Sequence, residues 1–341
     1  MTHARFTTPS LDLDLPLAPG VTALAGPPGA GKTRLLETIA GFHRPTSGRI
    51  LIDDAIVYDS ASRLHLPPRR RHCAFIAPHD ALFPHMTVRQ NLMFAAGRWA
   101  RLERHKRVAE MLERFELTAA LDLHPRELPL FERLRIEIAR ALLAETKLLL
   151  IDERGPAGSD AESLLRLLRD AFPGPVLLVT SDLDLCYNSA DRLALLSGGR
   201  IVQHGAARHV IEHPDSLEAA HLTGIANLFP ATITSLDPGR NQSRLACEHF
   251  TLSGPYLKGR LNGDRVDIGI RAEDVRVHAG EIEPDLNYAP ARLLRATENT
   301  RSVRLEFSGR ITALIPREQY ARQKENRTWQ VELPPAALRV F

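Results

Sequence analysis

The stretch GPPGAGKT at residues 26–33 limits what this chain can fold into more than any other feature. Its spacing, Gly-x-x-x-x-Gly-Lys-Thr, calls for a buried strand, a tight loop and a helix in immediate succession. The apolar run at residues 21–25 supplies the strand and residues 32–40 the helix. Gly29 and Gly31 let the backbone curl so that successive N–H groups and the helix N-terminus face phosphate oxygens. Lys32 would reach the β and γ phosphates, and the Thr33 hydroxyl would ligate magnesium. The nucleotide-binding set is therefore Gly26, Gly29, Ala30, Gly31, Lys32, Thr33 and Arg34. Pro27 and Pro28 bring no N–H, so the rim of the loop has fewer donors than it could have.

A second run, LLLID followed by Glu153, completes the expectation. Asp152, at the end of a buried strand, would hold the magnesium with Thr33. Glu153 would orient or deprotonate an attacking water. Two acids after an apolar run carry little weight alone, and gain it from the loop upstream.

Composition bounds the remainder. A chain of 341 residues with 44% hydrophobic content can form two compact units, each with a core. Lys and Arg total 44 against 41 Asp and Glu, a balance of +3 that demands no nucleic-acid partner. The densest basic run, Arg69, Arg70, Arg71 and His72, reads as a solvated loop. Three dispersed cysteines (Cys73, Cys186, Cys247) form neither a disulfide framework nor a zinc spacing and fit a reducing compartment. No stretch has the length of a membrane span and the N-terminus lacks a signal-peptide core, so a cytoplasmic chain that docks on a membrane protein is expected.

Up to about His221, short β-rich runs alternate with helical stretches, the pattern of an α/β domain on a largely parallel sheet. Strands are expected at 21–25, 73–77, 147–152 and 176–180, and helices at 32–40, 101–115, 131–143 and 161–171. In the third helix Leu134, Ile138 and Leu142 would form the buried stripe. From Asn227 onward, short alternating segments between Gly, Pro and Asn replace the helical period. FPATITSL (229–236) returns as APARLLRA (289–296), and IRAEDVRV (270–277) as LPPAALRV (333–340), about sixty residues apart. Two copies of one small β unit are expected there, which sets the domains at 1–226 and 227–341.

These stretches, with AGFHRPTSGRILIDD (40–54), LPPRRRHCAFI (66–76), ALFPHMTVRQNLMF (81–94), IARALLAETKLLLIDE (138–153) and LTGIANLFPATI (222–233), resemble the ATP-binding subunits of ABC importers. Within them the likeness is to the molybdate group, favoured over sugar or polyamine relatives by LFPH and the repeated tail. The resemblance implies a P-loop NTPase nucleotide-binding domain of the ABC type, followed by an all-β tail of two small OB-like (TOBE/Mop-like) barrels. It implies ATP and Mg2+ as ligands, and membrane permease subunits as partners, docked at the stretch 81–92. A second ATP-binding subunit, identical or not, would complete the dimer at the inner face of the membrane. Molybdate or tungstate could bind the tail, where Thr232, Ser235, Arg271 and Ser302 are candidate donors.

The chain also departs from that pattern. The family's glutamine that touches magnesium and water falls on Pro78, which has no side-chain donor or acceptor. Its LSGGE signature, which binds the partner's γ-phosphate, falls on Leu128, Pro129, Leu130, Phe131 and Glu132. Its γ-phosphate histidine is Ser181, and the proline expected after the glutamate is Arg154. Residues 155–160 match the dimer-contact loop only with one insertion. Phe6 is the sole aromatic residue ahead of the phosphate loop, either stacking adenine or filling a core. The expectation is a degenerate subunit that binds Mg-ATP and hydrolyses it poorly. The alternative is a non-transport regulator that senses nucleotide or oxyanion, and a competent ATPase built on Lys32, Thr33, Asp152 and Glu153 is a third reading.

Overall fold

The computed structural model describes residues 1–77, 81–152, 159–279, 287–324 and 329–341. Two compact units divide the chain, Met1–Pro214 and Asp215–Phe341. Among the described residues no helix is long and apolar enough to cross a membrane.

The first unit is built on strands β1 (Thr2–Thr8), β2 (Leu11–Leu17), β3 (Gly20–Ala25), β4 (Ser47–Ile52), β5 (Ala55–Asp59), β6 (Leu64–His65), β7 (Cys73–Ile76), β8 (Leu148–Ile151), β9 (Pro175–Val179), β10 (Arg192–Ser197) and β11 (Arg200–Ala206). They join in the order β6-β5-β4-β1-β2-β11-β10-β3-β9-β8-β7. Neighbours from β10 to β7 all run parallel, so the ends of β3, β7, β8 and β9 open on one edge. Burial follows that pairing. Every residue of β8, LLLI, is buried, as a parallel strand covered on both faces must be. By contrast, β2 reads LDLDLPL with each Leu buried and each intervening residue exposed, the mark of an antiparallel strand with one wet face.

Helices α1 (Lys32–Ala40), α2 (Val88–Ala95), α3 (Arg101–Arg114), α4 (Leu130–Leu143), α5 (Ser159–Ala171), α6 (Leu183–Ser189) and α7 (Ala207–Glu212) surround this sheet. One core joins α1 to β1, β2, β4 and β8; a second joins α2 to α5 to the other sheet face. The expected buried stripe of α4 is only partly right. Leu134 and Ile138 are buried, but Leu142 is half-buried, while Ile136, Glu137 and Leu143 are buried too. The helix is packed on more than one side, which a single period of four cannot capture. The basic run differs as well: Arg69 and Arg70 are exposed, whereas Arg71 is 1% exposed.

The second unit opens with α8 (Leu217–Leu222) and carries α9 (Arg317–Gln323); the sequence reading starts it later, at Asn227. Its strands are β12 (Asn227–Asp237), β13 (Gln242–Ala246), β14 (Thr251–Pro255), β15 (Arg265–Ile270), β16 (Arg276–Ala279), β17 (Tyr288–Ala291), β18 (Leu293–Glu298), β19 (Ser302–Phe307), β20 (Thr312–Pro316), β21 (Trp329–Glu332) and β22 (Arg339–Val340). They form sheets β14-β13-β12-β15-β22, β16-β21-β17 and β18-β19-β20. The first half of β12 pairs with β15 and its second half with β13; β17 pairs with β21, and β18 with β19. Register shifts fall at Ile233/Ser235 and at Leu293/Arg295, matching points of the two patterns. The outer strands are exchanged: β16, which follows β15 in sequence, pairs with β21, and β22, which follows β21, pairs with β15.

Candidate functional site

At the open edge of the parallel sheet, β3 runs directly into the glycine loop. Each glycine there has its own steric reason. A Cβ on Gly26 would fall 2.1 Å from the Leu196 carbonyl oxygen of β10, so the loop leaves the sheet only because that side chain is missing. Gly29 and Gly31 have φ of +79° and +99°, in the left-handed region, and a Cβ on Gly31 would also meet Leu11 Cδ2 at 2.7 Å. Gly31 caps α1 without any side-chain bond, and its carbonyl accepts from Leu35 N–H at 2.8 Å. The remaining N–H groups of that first turn are what a phosphate would meet.

Lys32 Nζ donates to the carbonyls of Gly26 (2.8 Å) and Pro27 (3.1 Å), which folds the ammonium over the loop. Thr33 and Arg34 are exposed on the first helical turn, Ala30 is half-buried, and Pro27 and Pro28 are exposed. The register brings other elements to the same edge. Ile76 and Ile151 are paired, Asp152 N–H donates to Ile76 O at 2.9 Å, and the Asp152 side chain is buried at the end of β8. Thr180, after β9, donates its N–H to Leu24 O beside the start of the loop. Ser181 follows it, exposed, ahead of Asp182, whose side chain caps α6 through Leu185 N–H. The chemistry of this set suits a chain of phosphates with a divalent cation: amides and a cation on one side, a hydroxyl and a carboxylate on the other. Pro78, Glu153 and Arg154 lie outside the described residues.

Phe6 does not face this edge. It is 1% exposed, in the core shared with Leu13, Leu15 and Leu36, so it fills the interior. At the signature position Leu128 is buried, and Pro129 caps α4 with no side-chain hydrogen bond. Leu130 stands 46% exposed on the first turn, and the Phe131 ring lies 4.5 Å from the Arg135 guanidinium carbon. The helix thus opens with apolar bulk where a close approach would need small residues.

The stretch 81–94 makes a second feature. Thr87 and Gln90 form a reciprocal capping box at the start of α2, a signal readable in T-x-x-Q. Asn91, fully buried, accepts from Phe83 N–H and donates to the carbonyls of Phe83, Met86 and Thr87, holding the preceding loop against the helix. Beside it lies an open groove of about 380 Å³ whose lining includes Phe75, Phe83, Phe94, Glu137 and Arg140. Glu137, buried on α4, accepts from Ala81 N–H at 3.0 Å. Sequence reasoning missed Glu137, because nothing local marks a helix carboxylate as buried.

In the second unit the candidate donors belong to different elements: Thr232 and Ser235 to β12, Ser302 to the start of β19, and Arg271 to the segment after β15. Arg271 donates to the Thr223 carbonyl at the end of α8.

The ABC transporter family model matches residues 11–154, from β2 through the loop to the acids that follow β8. The molybdenum import ATP-binding protein ModC of Paramagnetospirillum magneticum is 33% identical, over 80% of this chain and 76% of its own length. The sulfate/thiosulfate import ATP-binding protein CysA of Synechococcus elongatus is 29% identical, over 97% of this chain and 91% of its own. Among solved structures, cbiO1 from Clostridium perfringens, part of the ABC transporter complex cbiONQ, superposes with a TM-score of 0.55. It is 23% identical and covers 65% of this chain and 94% of that one, a likeness of fold. On the family match over residues 11–154 and the 33% identity spanning 76% of the molybdenum relative, the chain belongs to the ABC transporter family of ATP-binding proteins.

Proposed function

We propose that this chain is the ATP-binding subunit of an importer for molybdate or a similar tetrahedral oxyanion, and that it holds Mg-ATP while hydrolysing it slowly. Gly26, Gly29, Ala30, Gly31, Lys32, Thr33 and Arg34 would hold the nucleotide, with Thr33 and Asp152 toward the magnesium. The bound ion would supply charge neutralisation at the phosphate oxygens. One observation carries the slow turnover: α4 opens on Pro129, exposed Leu130 and a Phe131 ring near Arg135, at the place from which this chain would reach the terminal phosphate held by a second, like subunit. Removing one preorganised donor costs about 10²–10³ in rate, and the replacements at Pro78 and Ser181 act in the same direction.

The groove between α2 and α4 supports a permease as partner, since it offers the aromatic side chains of Phe75, Phe83 and Phe94 beside Glu137 and Arg140. The chain would then sit at the inner face of the membrane beside a second ATP-binding subunit. The relatives named for molybdenum and for sulfate or thiosulfate import support an oxyanion cargo, and the second unit, read as a pair of small barrels, is where feedback binding would occur.

Affinity and turnover measured on one preparation test this reading. Mg-ATP should bind, turnover should lie about a hundredfold or more below an intact importer subunit, and Glu153→Gln should change it little. Ordinary turnover abolished by Glu153→Gln would overturn slow hydrolysis. Uptake of labelled molybdate, sulfate and spermidine in cells with and without the chain would test the cargo, and spermidine uptake alone would exclude an oxyanion.

A further inference from the structure

Among the described residues Arg71 is the largest of the fully buried side chains, and its guanidinium joins three parts of the fold. Nε donates to Leu66 O at 2.8 Å, and Nη1 to Thr38 O at 3.1 Å and Ile39 O at 2.8 Å. Nη2 lies 3.1 Å from His65 Nδ1. Thr38 and Ile39 are in the last turn of α1, whose carbonyls have no partner within the helix. The end of the helix is closed further by Gly41, at φ +97°, whose N–H donates to Glu37 O and Thr38 O. A Cβ on Gly41 would fall 2.4 Å from Arg71 Nε, so the backbone is pressed against the guanidinium.

The other end of α1 is the glycine loop. The helix has nine residues, roughly 13.5 Å at 1.5 Å per residue, and behaves as a short rod. Whatever holds its C-terminus sets where its N-terminal amides point. A buried cation at the negative end of the helix is itself favoured by the helix dipole.

We infer that Arg71 is a positioning residue for the phosphate-binding helix, and that His65, as acceptor for one of its hydrogens, makes this positioning sensitive to acid. The inference rests on reading residues 26–34 as the nucleotide site. For Nδ1 to accept, His65 must be neutral with its proton on Nε2. Protonation removes the acceptor and sets a second cation against the first. The groups facing His65 offer no relief: Arg71 from the loop before β7, Arg44 from the loop after α1, and the Tyr58 ring edge-on from β5. Tyr58 gives its hydroxyl hydrogen to Pro45 O, and Asp59 accepts from Arg49 and Ala61. On β7, Cys73 lies near the guanidinium as a neutral thiol, pushed up to about 11 by burial. Burial and the two arginines hold His65 below the ordinary imidazole value of 6.5. Because the folded value is the lower one, the contribution of neutral His65 is complete above the unfolded value and is lost as pH falls through the folded one.

The test uses the full chain, as wild type, His65→Gln and Arg71→Lys, with two readouts at pH 7.5 and 5.5. One is Mg-ATP affinity; the other is amide hydrogen exchange at Gly41 and Phe42 in nucleotide-free protein. The amide oxygen introduced by His65→Gln would accept from Arg71 without titrating, so this variant should match wild type at pH 7.5 and keep its affinity and protection at pH 5.5. Wild type should lose about tenfold in affinity relative to His65→Gln on acidification. Arg71→Lys, lacking the fork, should bind about tenfold more weakly at pH 7.5 and exchange faster at both amides. Identical pH profiles for wild type and His65→Gln would overturn the acid coupling. Unchanged affinity and protection in Arg71→Lys would overturn the positioning role. Absence of Mg-ATP binding by wild type would instead sink the nucleotide reading, and the exchange data would then decide on Arg71 alone.

Discussion

The glycines of the loop are alike in composition and unlike in cause, and their substitutions should separate accordingly. Gly29→Ala meets no atom within 4 Å and is strained only by its φ of +79°. The left-handed penalty for a residue with a Cβ is about 1–2 kcal/mol, so nucleotide affinity should fall modestly. Gly26→Ala places a methyl 2.1 Å from a backbone oxygen in the sheet, which cannot yield like a side chain. That substitution should abolish Mg-ATP binding, and titration of both variants with a fluorescent ATP analogue would show it. Equal losses in the two would mean that the approach to Leu196 does not matter. At this scale the sequence was informative about the loop and silent about burial. Arg71 reads as part of a solvated loop and Glu137 carries no local mark, yet both are interior, because partners of each lie on segments distant along the chain: Thr38 and Ile39 for Arg71, and Ala81 for Glu137.

Among the elements, the exchanged strands of the second unit place special weight on two asparagines. Asn227, 0% exposed, donates to Ile270 O and Thr312 O and accepts from Thr312 N–H. Asn287, 4% exposed, donates to Ser253 O and Leu333 O and accepts from Ser253 N–H. The two sets correspond under the repeat of the sequence, and each amide reaches a strand of the other half. Each side chain thus ties together strands from both halves of the unit by satisfying their buried backbone groups. Asn227→Ala and Asn287→Ala each take a partner from three backbone groups in the interior, at about 1–3 kcal/mol per group, so each should cost roughly 3 kcal/mol or more. Urea unfolding followed by the fluorescence of Trp329, in a Trp99→Phe background, would measure this. A loss below about 1 kcal/mol in both would show that the amides do not tie the halves together.

For the molecule as a whole, the two tryptophans fall one to a unit, Trp99 in the first and Trp329 in the second. All the nucleotide candidates lie in the first. Mg-ATP at a hundred times its Kd should therefore raise the stability reported by Trp99, in a Trp329→Phe background, by about 2.7 kcal/mol. Lys32→Ala at the same nucleotide concentration should show no such rise. A wild-type chain equally unmoved would remove ATP binding from the account.

By itself, the sequence determined the local features of this protein. The strand, loop and helix at residues 20–40 follow from glycine spacing and short-range periodicity, and α1 has the expected bounds at Lys32–Ala40. Helices α3, α4 and α5 and strands β7, β8 and β9 lie within two residues of their expected ends for the same reason. Only the tertiary structure decided the sheet order, the fate of Phe6 as core, the burial of Arg71 and Glu137, and the exchange of β16 and β22. Those outcomes depend on which distant segments meet. Local propensity is written residue by residue, but the partner that makes a buried charge or an outer strand tolerable is supplied by the fold.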